Sequence, residues 1–251
     1  FVRERFAQTV CPMLLRLQNS FAAMTRLGRE QERTANNLAN ANTVGFRRDR
    51  MFVEALNERI DVEGAPASEK LTTQWADQAS GSIEATGNPL DVALQGDGFF
   101  VVTDDNGAAR YTRAGRFTTD AGGMLRDASG RLVAGDNGPL TLPAGGGPII
   151  IGSDGTIEVG GAVAGKLRVV TFDDPMQLER AEGATFIAGD QNPRDVASPA
   201  LLQGHIETSN VDVIAEMTEM IEHFRLFESH QKVLQTTDQV LSGVTRDLGR
   251  F

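Results

Sequence analysis

The residues of this chain that could take part in chemistry are few and scattered. Gly96-Asp97-Gly98 lacks the third glycine of a dinucleotide-binding fingerprint and leads into a β-type run instead of a helix. Asp104-Asp105-Asn106-Gly107 begins like a calcium loop, but Gly115 stands where the bidentate glutamate belongs. We interpret both segments as turns and predict that the chain binds no nucleotide and no metal.

Histidine, cysteine and carboxylate groups give no stronger signal for catalysis. His205, His223 and His230 stand in no nucleophile motif, and the last two are seven residues apart, as on one face of a helix. Cys11 is followed by a proline and has no partnering histidine, so a reactive thiolate is not indicated. Among 34 acidic residues, paired carboxylates for glycoside hydrolysis stay open, because spacing in sequence does not show separation in space. We predict a protein that is not an enzyme, without cofactor or small-molecule substrate.

The charge of the chain argues against a nucleic-acid partner, because binding to phosphate backbones needs clustered Lys and Arg. The formal charge is −10, with +5 over residues 1–50, −12 over residues 51–210 and −3 over residues 211–251. No apolar run approaches the roughly 20 residues that span a bilayer, and the first residues lack the apolar core of a cleavable signal peptide. If the chain leaves the cytoplasm, we expect it to use another route.

The elements that would position any interface begin with a helix near the amino terminus. Apolar residues recur there at steps of three and four. They are Leu14, Leu17, Phe21, Met24, Leu27, Ala35 and Leu38. We predict that this helix starts after Pro12 and ends at Asn40-Ala41-Asn42, with Gly45 forming a left-handed turn. Phe1–Pro12 is then an unstructured extra segment, and Met13 is the expected start of the protein.

The last part of the chain carries the most regular pattern. Positions seven residues apart are apolar throughout one register, and a companion register begins apolar and then becomes polar. The first register is Val213, Met220, Phe227, Leu234, Leu241 and Leu248, and the companion register is Met217, Phe224, Gln231, Asp238 and Thr245. A strict seven-residue repeat is typical of a helix in a coiled coil. We predict a helix over Val211–Leu248, capped by Ser209 and Asn210, with Asp212 in its first turn.

We predict that the two terminal helices pair with each other as a coiled coil. Each carries an apolar stripe and is not expected to be stable alone. One is basic and the other acidic, so pairing also brings opposite charges together. The pattern leaves open the alternative that each helix packs separately on the middle of the chain.

The middle of the chain predicts an inserted all-β domain over residues 83–204. Short β-type runs alternate there with turns that contain glycine. The runs include Phe99–Val102, Ile149–Ile151 and Leu167–Val170, and the turns include Asn106-Gly107, Ser129-Gly130 and Asp154-Gly155. Residues 47–82 show no periodicity and are predicted to be a loosely structured connector. The predicted fold class is α+β, with residues 13–46 and 205–251 forming a helical domain.

Several segments resemble the bacterial flagellar rod and hook protein family. The first is the run Ala35-Asn36-Asn37-Leu38-Ala39-Asn40-Ala41-Asn42-Thr43-Val44-Gly45-Phe46-Arg47. Its residue types fit a helix end, where Asn side chains cap carbonyls, Thr43 and Gly45 turn the chain, and Phe46 anchors the exit against the helix pair. The others are Asn88–Val102, Tyr111–Phe117 and Gly204–Asp212.

This resemblance implies a structural subunit of the flagellar basal-body rod that self-assembles through paired terminal helices, transmits torque and serves motility. The implied partners are other rod subunits and the flagellar type III export apparatus. The implied location is the rod, which spans the periplasm. Within the family, the length and the ending Val244–Phe251 are more similar to proximal than to distal rod subunits. The alternative is a secreted carbohydrate-binding β-domain with oligomerising helices, which one Trp and one Tyr disfavour.

Overall fold

The computed structural model describes residues 2–53, 72–104, 106–143 and 147–248, and it confirms the predicted α+β class. A long helix lies at each end of the sequence, with β-strands between them. In chain order the elements are α1 (Val2–Ala39), β1 (Asp49–Val53), β2 (Thr72–Ala76), β3 (Ile83–Ala85), β4 (Val92–Gln95), β5 (Phe99–Thr103), β6 (Ala109–Thr112), β7 (Thr118–Thr119), β8 (Leu125–Arg126), β9 (Leu132–Gly135), β10 (Gly138–Pro139), β11 (Ile149–Ile151), β12 (Thr156–Val159), β13 (Ala162–Lys166), β14 (Val169–Thr171), β15 (Glu179–Arg180), β16 (Thr185–Ile187), β17 (Arg194–Asp195), β18 (Ala200–Gln203), β19 (His205–Glu207) and α2 (Val213–Leu248).

The chain divides into two compact units. Phe1–Leu38 and Asp212–Phe251 form the helical unit, and Ala39–Val211 form the β unit. None of the helices in the described part of the chain is both long and apolar enough to cross a membrane.

Helix α1 begins at Val2, so the prediction of an unstructured segment up to Pro12 was wrong. Pro12 lies inside the helix, where a proline removes one backbone hydrogen bond. Residues before it, such as Arg3, Glu4 and Ala7, are strong helix formers, and helix formation continues through the proline. The helix ends at Ala39, next to the predicted Asn-rich end.

Helix α2 starts at Val213, two residues later than predicted, because its cap is Asp212 and not Ser209 or Asn210. The Asp212 carboxylate accepts hydrogen bonds from the backbone N–H groups of Ile214 at 2.9 Å and Ala215 at 3.1 Å. These N–H groups have no partner within the helix. A carboxylate at this position also interacts favourably with the positive end of the helix dipole.

We expect Asp212→Ala to destabilise α2 by about 1 kcal/mol, because it removes the cap and a favourable charge. Thermal unfolding followed by far-UV circular dichroism measures the effect. Ser229→Ala, on an exposed face of the same helix, is the matched control and should unfold like the wild type. Equal melting of the Asp212→Ala and wild-type chains would show that another group caps this helix.

The β unit is built around a ten-stranded antiparallel sheet. Its main path runs β15-β16-β6-β5-β9-β8-β7, with β10 beside β9, β14 beside β5 and β17 beside β14. A three-stranded sheet has the order β11-β12-β13, and two-strand pairs join β18 to β4, β19 to β3 and β1 to β2. The predicted strand runs and glycine turns are observed within this unit.

Strand β5 lies at the centre of the sheet and is buried on both faces. Phe100 and Val102 belong to one apolar cluster, and Phe99 and Val101 belong to another, because successive side chains of a strand point to opposite faces. Edge-to-face ring contacts add to the packing: Phe99 and Phe186 lie 5.7 Å apart between ring centres.

The described ends of the predicted connector form ordered strands. β1 and β2 pair in antiparallel fashion, with Arg50 opposite Trp75. The prediction of a loose connector over residues 47–82 was therefore wrong for these strands, because cross-strand hydrogen bonds form without a periodic apolar pattern. Residues 54–71, the middle of the predicted connector, lie outside the described residues.

Candidate assembly interface

Side-chain contacts join α1 and α2 side by side within the helical unit. Asn37 donates from Nδ2 to Oε1 of Glu216 at 3.2 Å, and both side chains are buried. Arg33 and Glu219 form an ion pair with 3.0 Å between Nη2 and Oε2. Polar contacts of this kind fix how one helix is rotated against the other, because a buried group that loses its partner is costly.

A third contact shows the direction of the pairing. Nε2 of His223 lies 3.4 Å from Oε2 of Glu30. The contacts progress from Glu30 to Asn37 along α1 and from His223 back to Glu216 along α2. The two helices therefore run antiparallel over this stretch.

One face of α2 is less exposed than the rest of the helix. Its members recur at alternating steps of four and three residues, the spacing of a helix that packs along another helix. They are Glu216, Met220, His223, Phe227, His230, Leu234 and Thr237. Along this face, the apolar residues Met220, Phe227 and Leu234 (the apolar line) alternate with the polar residues Glu216, His223, His230 and Thr237 (the polar line).

The polar line replaces the companion register that the sequence predicted. Met217 and Phe224 are 50% and 51% exposed and lie outside this face. Glu216 and His223, each one residue earlier, occupy it because their polar contacts, with Asn37 and Glu30, are on α1. A search for apolar residues at seven-residue spacing could not identify these polar members of the face.

The remaining predicted packing residues occupy different environments. Leu27 is buried, Phe21 is 70% exposed and Val213 is 40% exposed. Met24 and Leu38 are half-buried. The side chains of Leu17, Leu241 and Leu248 lie outside the described residues.

Large apolar side chains also remain exposed on α2. They are Ile214, Met217, Ile221, Phe224, Leu226, Val233 and Val240, each at least half exposed. Ile214, Met217, Ile221 and Phe224 recur at steps of three and four residues and so share one side of the helix, a pattern that is typical of a protein–protein contact.

The segment after α1 turns sharply within the β unit. The backbone N–H and hydroxyl of Thr43 donate to the backbone oxygen and side-chain oxygen of Asn40, at 3.0 and 3.1 Å. Gly45 has a φ of 66°, and a Cβ there would stand 2.3 Å from the backbone nitrogen of Ala114. Only glycine fits this approach. Phe46 is buried, and the guanidinium of Arg180 lies 4.4 Å from its ring centre.

A buried ion cluster then ties this segment to the chain just before α2. Nη1 of Arg47 lies 2.6 Å from Oε1 of Glu207 and donates to the carbonyl of Ala79 at 2.7 Å. The backbone N–H of Gly81 donates to the same carboxylate at 2.9 Å. Nη1 of Arg113 lies 3.7 Å from Oε2 of Glu207. The Glu207 carboxylate therefore lies close to two guanidinium groups, those of Arg47 and Arg113.

The electrostatics of this cluster depend on Glu207. Arg47, Arg113 and Glu207 are 0%, 4% and 1% exposed, so two positive charges and one negative charge are almost fully desolvated. Burial lowers the pKa of Arg113 to about 10, and the Glu207 carboxylate partly opposes this shift. Without the Glu207 carboxylate, the two buried cations would lose the negative charge that contacts them.

Asn210 adds a second tie between the same two segments. Its Oδ1 accepts the backbone N–H of Arg48 at 2.6 Å, and its Nδ2 donates to the carbonyls of Asp77 at 3.0 Å and Ala79 at 2.8 Å. Its own N–H donates to the carbonyl of Phe46 at 3.4 Å. We call Arg47, Arg113, Glu207 and Asn210, with the hydrogen bonds just described, the clasp.

The comparisons with known proteins match the parts of the chain that form these contacts. The model of flagella basal body rod proteins matches residues 17–47, the flagellar hook protein FlgE/F/G D1 domain matches residues 93–159, and the C-terminal region of flagellar basal body rod FlgEFG proteins matches residues 202–246. The flagellar basal-body rod protein FlgF of Caulobacter vibrioides is 34% identical over 232 residues, which cover 90% of this chain and 94% of that protein. This chain belongs to the flagellar basal-body rod protein family.

Relatives of two kinds show similar identity. The flagellar basal-body rod protein FlgG of Bacillus subtilis is 31% identical, over 91% of this chain and 97% of that protein. The FlgF protein of Salmonella typhimurium is 33% identical, over 89% of this chain and 94% of that protein. As a member of the rod family, the chain is a structural basal-body protein that assembles with other rod subunits.

The clasp joins all three regions that match the rod family. Arg47 lies in the first matched region, Arg113 in the second, and Glu207 and Asn210 in the third. Sequence reasoning missed these residues as a functional group. All four residues stand inside segments that resemble the family, Arg113 in the segment Tyr111–Phe117. That resemblance was the signal from which the group could have been found.

The described residues of this rod-family chain offer little that is organised for chemistry. They contain no group of three or more His, Cys, Asp or Glu side chains placed to hold a metal ion. A groove of about 610 Å³ runs along α2. It is lined by Arg225, Glu228, Ser229, Lys232, Val233, Thr236 and Thr237. Such a lining fits a solvated helix surface, and the family implies a structural role.

Proposed function

We propose that this chain is a FlgF-type subunit of the proximal rod, which self-assembles through its terminal helices and transmits torque. The observation that carries the proposal is the antiparallel contact of α1 with α2, in a chain of the rod family. Two FlgF relatives, at 34% and 33% identity, favour the proximal type.

Assembly in this proposal uses α1 and α2, the helices of the predicted terminal domain (residues 13–46 and 205–251), paired as a coiled coil. The half-buried apolar line from Met220 to Leu234 packs against α1. The exposed residues Met217 and Phe224 pack against neighbouring rod subunits, because rod formation would remove their apolar surface from water. Residues 83–204 form a β-domain that makes no helix–helix contact in the assembly.

Torque transmission requires that a subunit does not yield when its neighbours turn. The clasp supports this role, because the Arg47–Glu207 ion pair and the charge-assisted hydrogen bonds of these two side chains hold the segments next to the helices in one geometry. We further propose export by the flagellar type III apparatus without removal of a signal peptide. The resemblance to rod-family proteins implies this route.

A FlgG-type distal rod subunit is the second candidate. The FlgG protein of Bacillus subtilis matches 97% of its own length at 31% identity, close to the values for the FlgF relatives. The two candidates differ in their place along the rod.

Deletion of the gene tests the proposal. We expect cells without the chain to lack complete rods and to be non-motile, and a plasmid copy to restore both. Basal bodies of the deletion strain should lack the FlgG-type subunit if the chain is proximal, and should retain the FlgF-type subunit if it is distal. Mass spectrometry of purified basal bodies distinguishes these outcomes. Complete rods in the deletion strain would contradict both candidates.

A further inference from the structure

The two helices that pair are far apart in sequence, and the clasp removes most of that separation. The β unit between them comprises Ala39–Val211. The clasp joins Phe46, Arg47 and Arg48 to Glu207 and Asn210 through buried contacts. With the clasp closed, about 12 residues link the two helix ends instead of about 170.

We infer that the clasp is a conformational device that makes α1 and α2 behave as one helical hairpin. Asn210 and Glu207 are its positioning residues, because they hold the exit of α1 beside the entry of α2. Pairing of the helices then depends on a closed clasp as well as on the residues between the helices. The inference deepens the proposed function, since it rests on the helix pair that the rod assembly uses.

The expected size of the effect follows from loop closure. The probability that two chain ends meet falls with about the three-halves power of the length between them. Shortening the link from about 170 to about 12 residues therefore raises the pairing constant by up to about fiftyfold. This factor is reached only when the β unit unfolds. In Asn210→Ala the Arg47–Glu207 ion pair and the bond from the Gly45 N–H to the Glu207 carbonyl remain, so we expect a measurable loss of pairing that is smaller than this factor.

The geometry explains why Asn210 is the informative position. Its amide makes three hydrogen bonds that join the segment before α2 to Arg48, Asp77 and Ala79. It belongs to neither apolar cluster of the β unit. Asn210→Ala therefore opens this part of the clasp and leaves the apolar cores intact.

The test follows helix pairing directly in the purified full chain. Arg29 and Glu222 are exposed on α1 and α2, and a pyrene on a cysteine at each position reports proximity by excimer emission. Cys11, the only native cysteine, is replaced by serine. Trp75, the only tryptophan, lies in β2 and reports folding of the β unit.

We expect Asn210→Ala to lose excimer emission at a lower temperature than the parent chain, while the Trp75 transition changes much less. Ser209→Ala is the matched control, because the Ser209 hydroxyl accepts only a local bond from the N–H of Val211 at 3.3 Å. The Ser209→Ala chain should lose excimer emission and show the Trp75 transition at the same temperatures as the parent chain. Excimer loss at the parent temperature in Asn210→Ala would overturn the inference.

A second measurement covers the case in which Asn210→Ala unfolds the β unit. In the parent chain, the excimer signal should disappear no later than the Trp75 transition, because the clasp opens when the β unit unfolds. Excimer emission that persists above that transition would overturn the inference even if the variants do not fold. Either negative result leaves the rod assignment untouched, since that assignment is tested by the composition of basal bodies.

Discussion

Replacing Phe227 with Asp is expected to abolish incorporation of the chain into the rod. Phe227 is half-buried in the middle of the apolar line of α2, between Met220 and Leu234. The change removes a large apolar contact and places a carboxylate without a partner against α1. Together these effects should destabilise the helix pair by several kcal/mol, at roughly 25 cal/mol per Å² of apolar surface plus the desolvation of a charge.

The β unit should remain folded in the Phe227→Asp chain, because its apolar clusters contain no residue of α2. Motility and the amount of the chain in purified rods measure the effect on assembly. Arg225→Ala and Glu228→Ala are the controls, since both side chains are exposed and surface charges contribute less than about 1 kcal/mol. Normal rods with Phe227→Asp, together with failed rods in Arg225→Ala cells, would show that the wrong face of α2 was assigned to assembly.

Replacing Glu207 with Gln is expected to destabilise the β unit by about 3–5 kcal/mol. The substitution keeps the size of the side chain but removes the carboxylate that contacts the buried guanidinium groups of Arg47 and Arg113. Removal of one partner from a buried ion cluster is costly in this range, because the remaining charges stay desolvated. Urea unfolding followed by Trp75 fluorescence measures the free energy of unfolding.

Arg113→Met is the matched control within the same cluster. It leaves Arg47 and Glu207 as a neutral pair, so we expect it to cost less than half as much as Glu207→Gln. Burial lowers the pKa of Arg113 to about 10, so the folded chain holds this proton less tightly than the unfolded chain. The destabilising contribution of Arg113 is therefore full below pH 10 and is relieved as the pH rises further. Equal destabilisation by both substitutions would show that charge balance does not govern this cluster.

Local patterns in the sequence predicted the main elements of the fold. The run from Phe99 predicted a strand, and the structure places it at the centre of the sheet. The seven-residue repeat from Val213 predicted the long final helix, which the structure describes over Val213–Leu248. Both signals depend on residues that are close together in the chain, where periodicity is informative.

Contacts between residues that are distant in the chain could not be predicted from local sequence patterns. The polar line of α2 depends on Asn37 and Glu30, which are 179 or more residues away from their partners, so Glu216 and His223 gave no sign of lying between helices. Arg47 and Glu207 show no periodicity and meet only because two chain segments return to the same place. The start of α1 was misplaced because the helix continues through Pro12.

A structure of the intact basal body tests the central claim most directly. Cryo-electron microscopy of basal bodies purified from cells with the native chain should show α1 and α2 as an antiparallel pair in the wall of the rod, with Met217 and Phe224 covered by neighbouring subunits. Rod density that no copy of this chain fits, or copies whose two helices are apart and uncovered, would contradict the account.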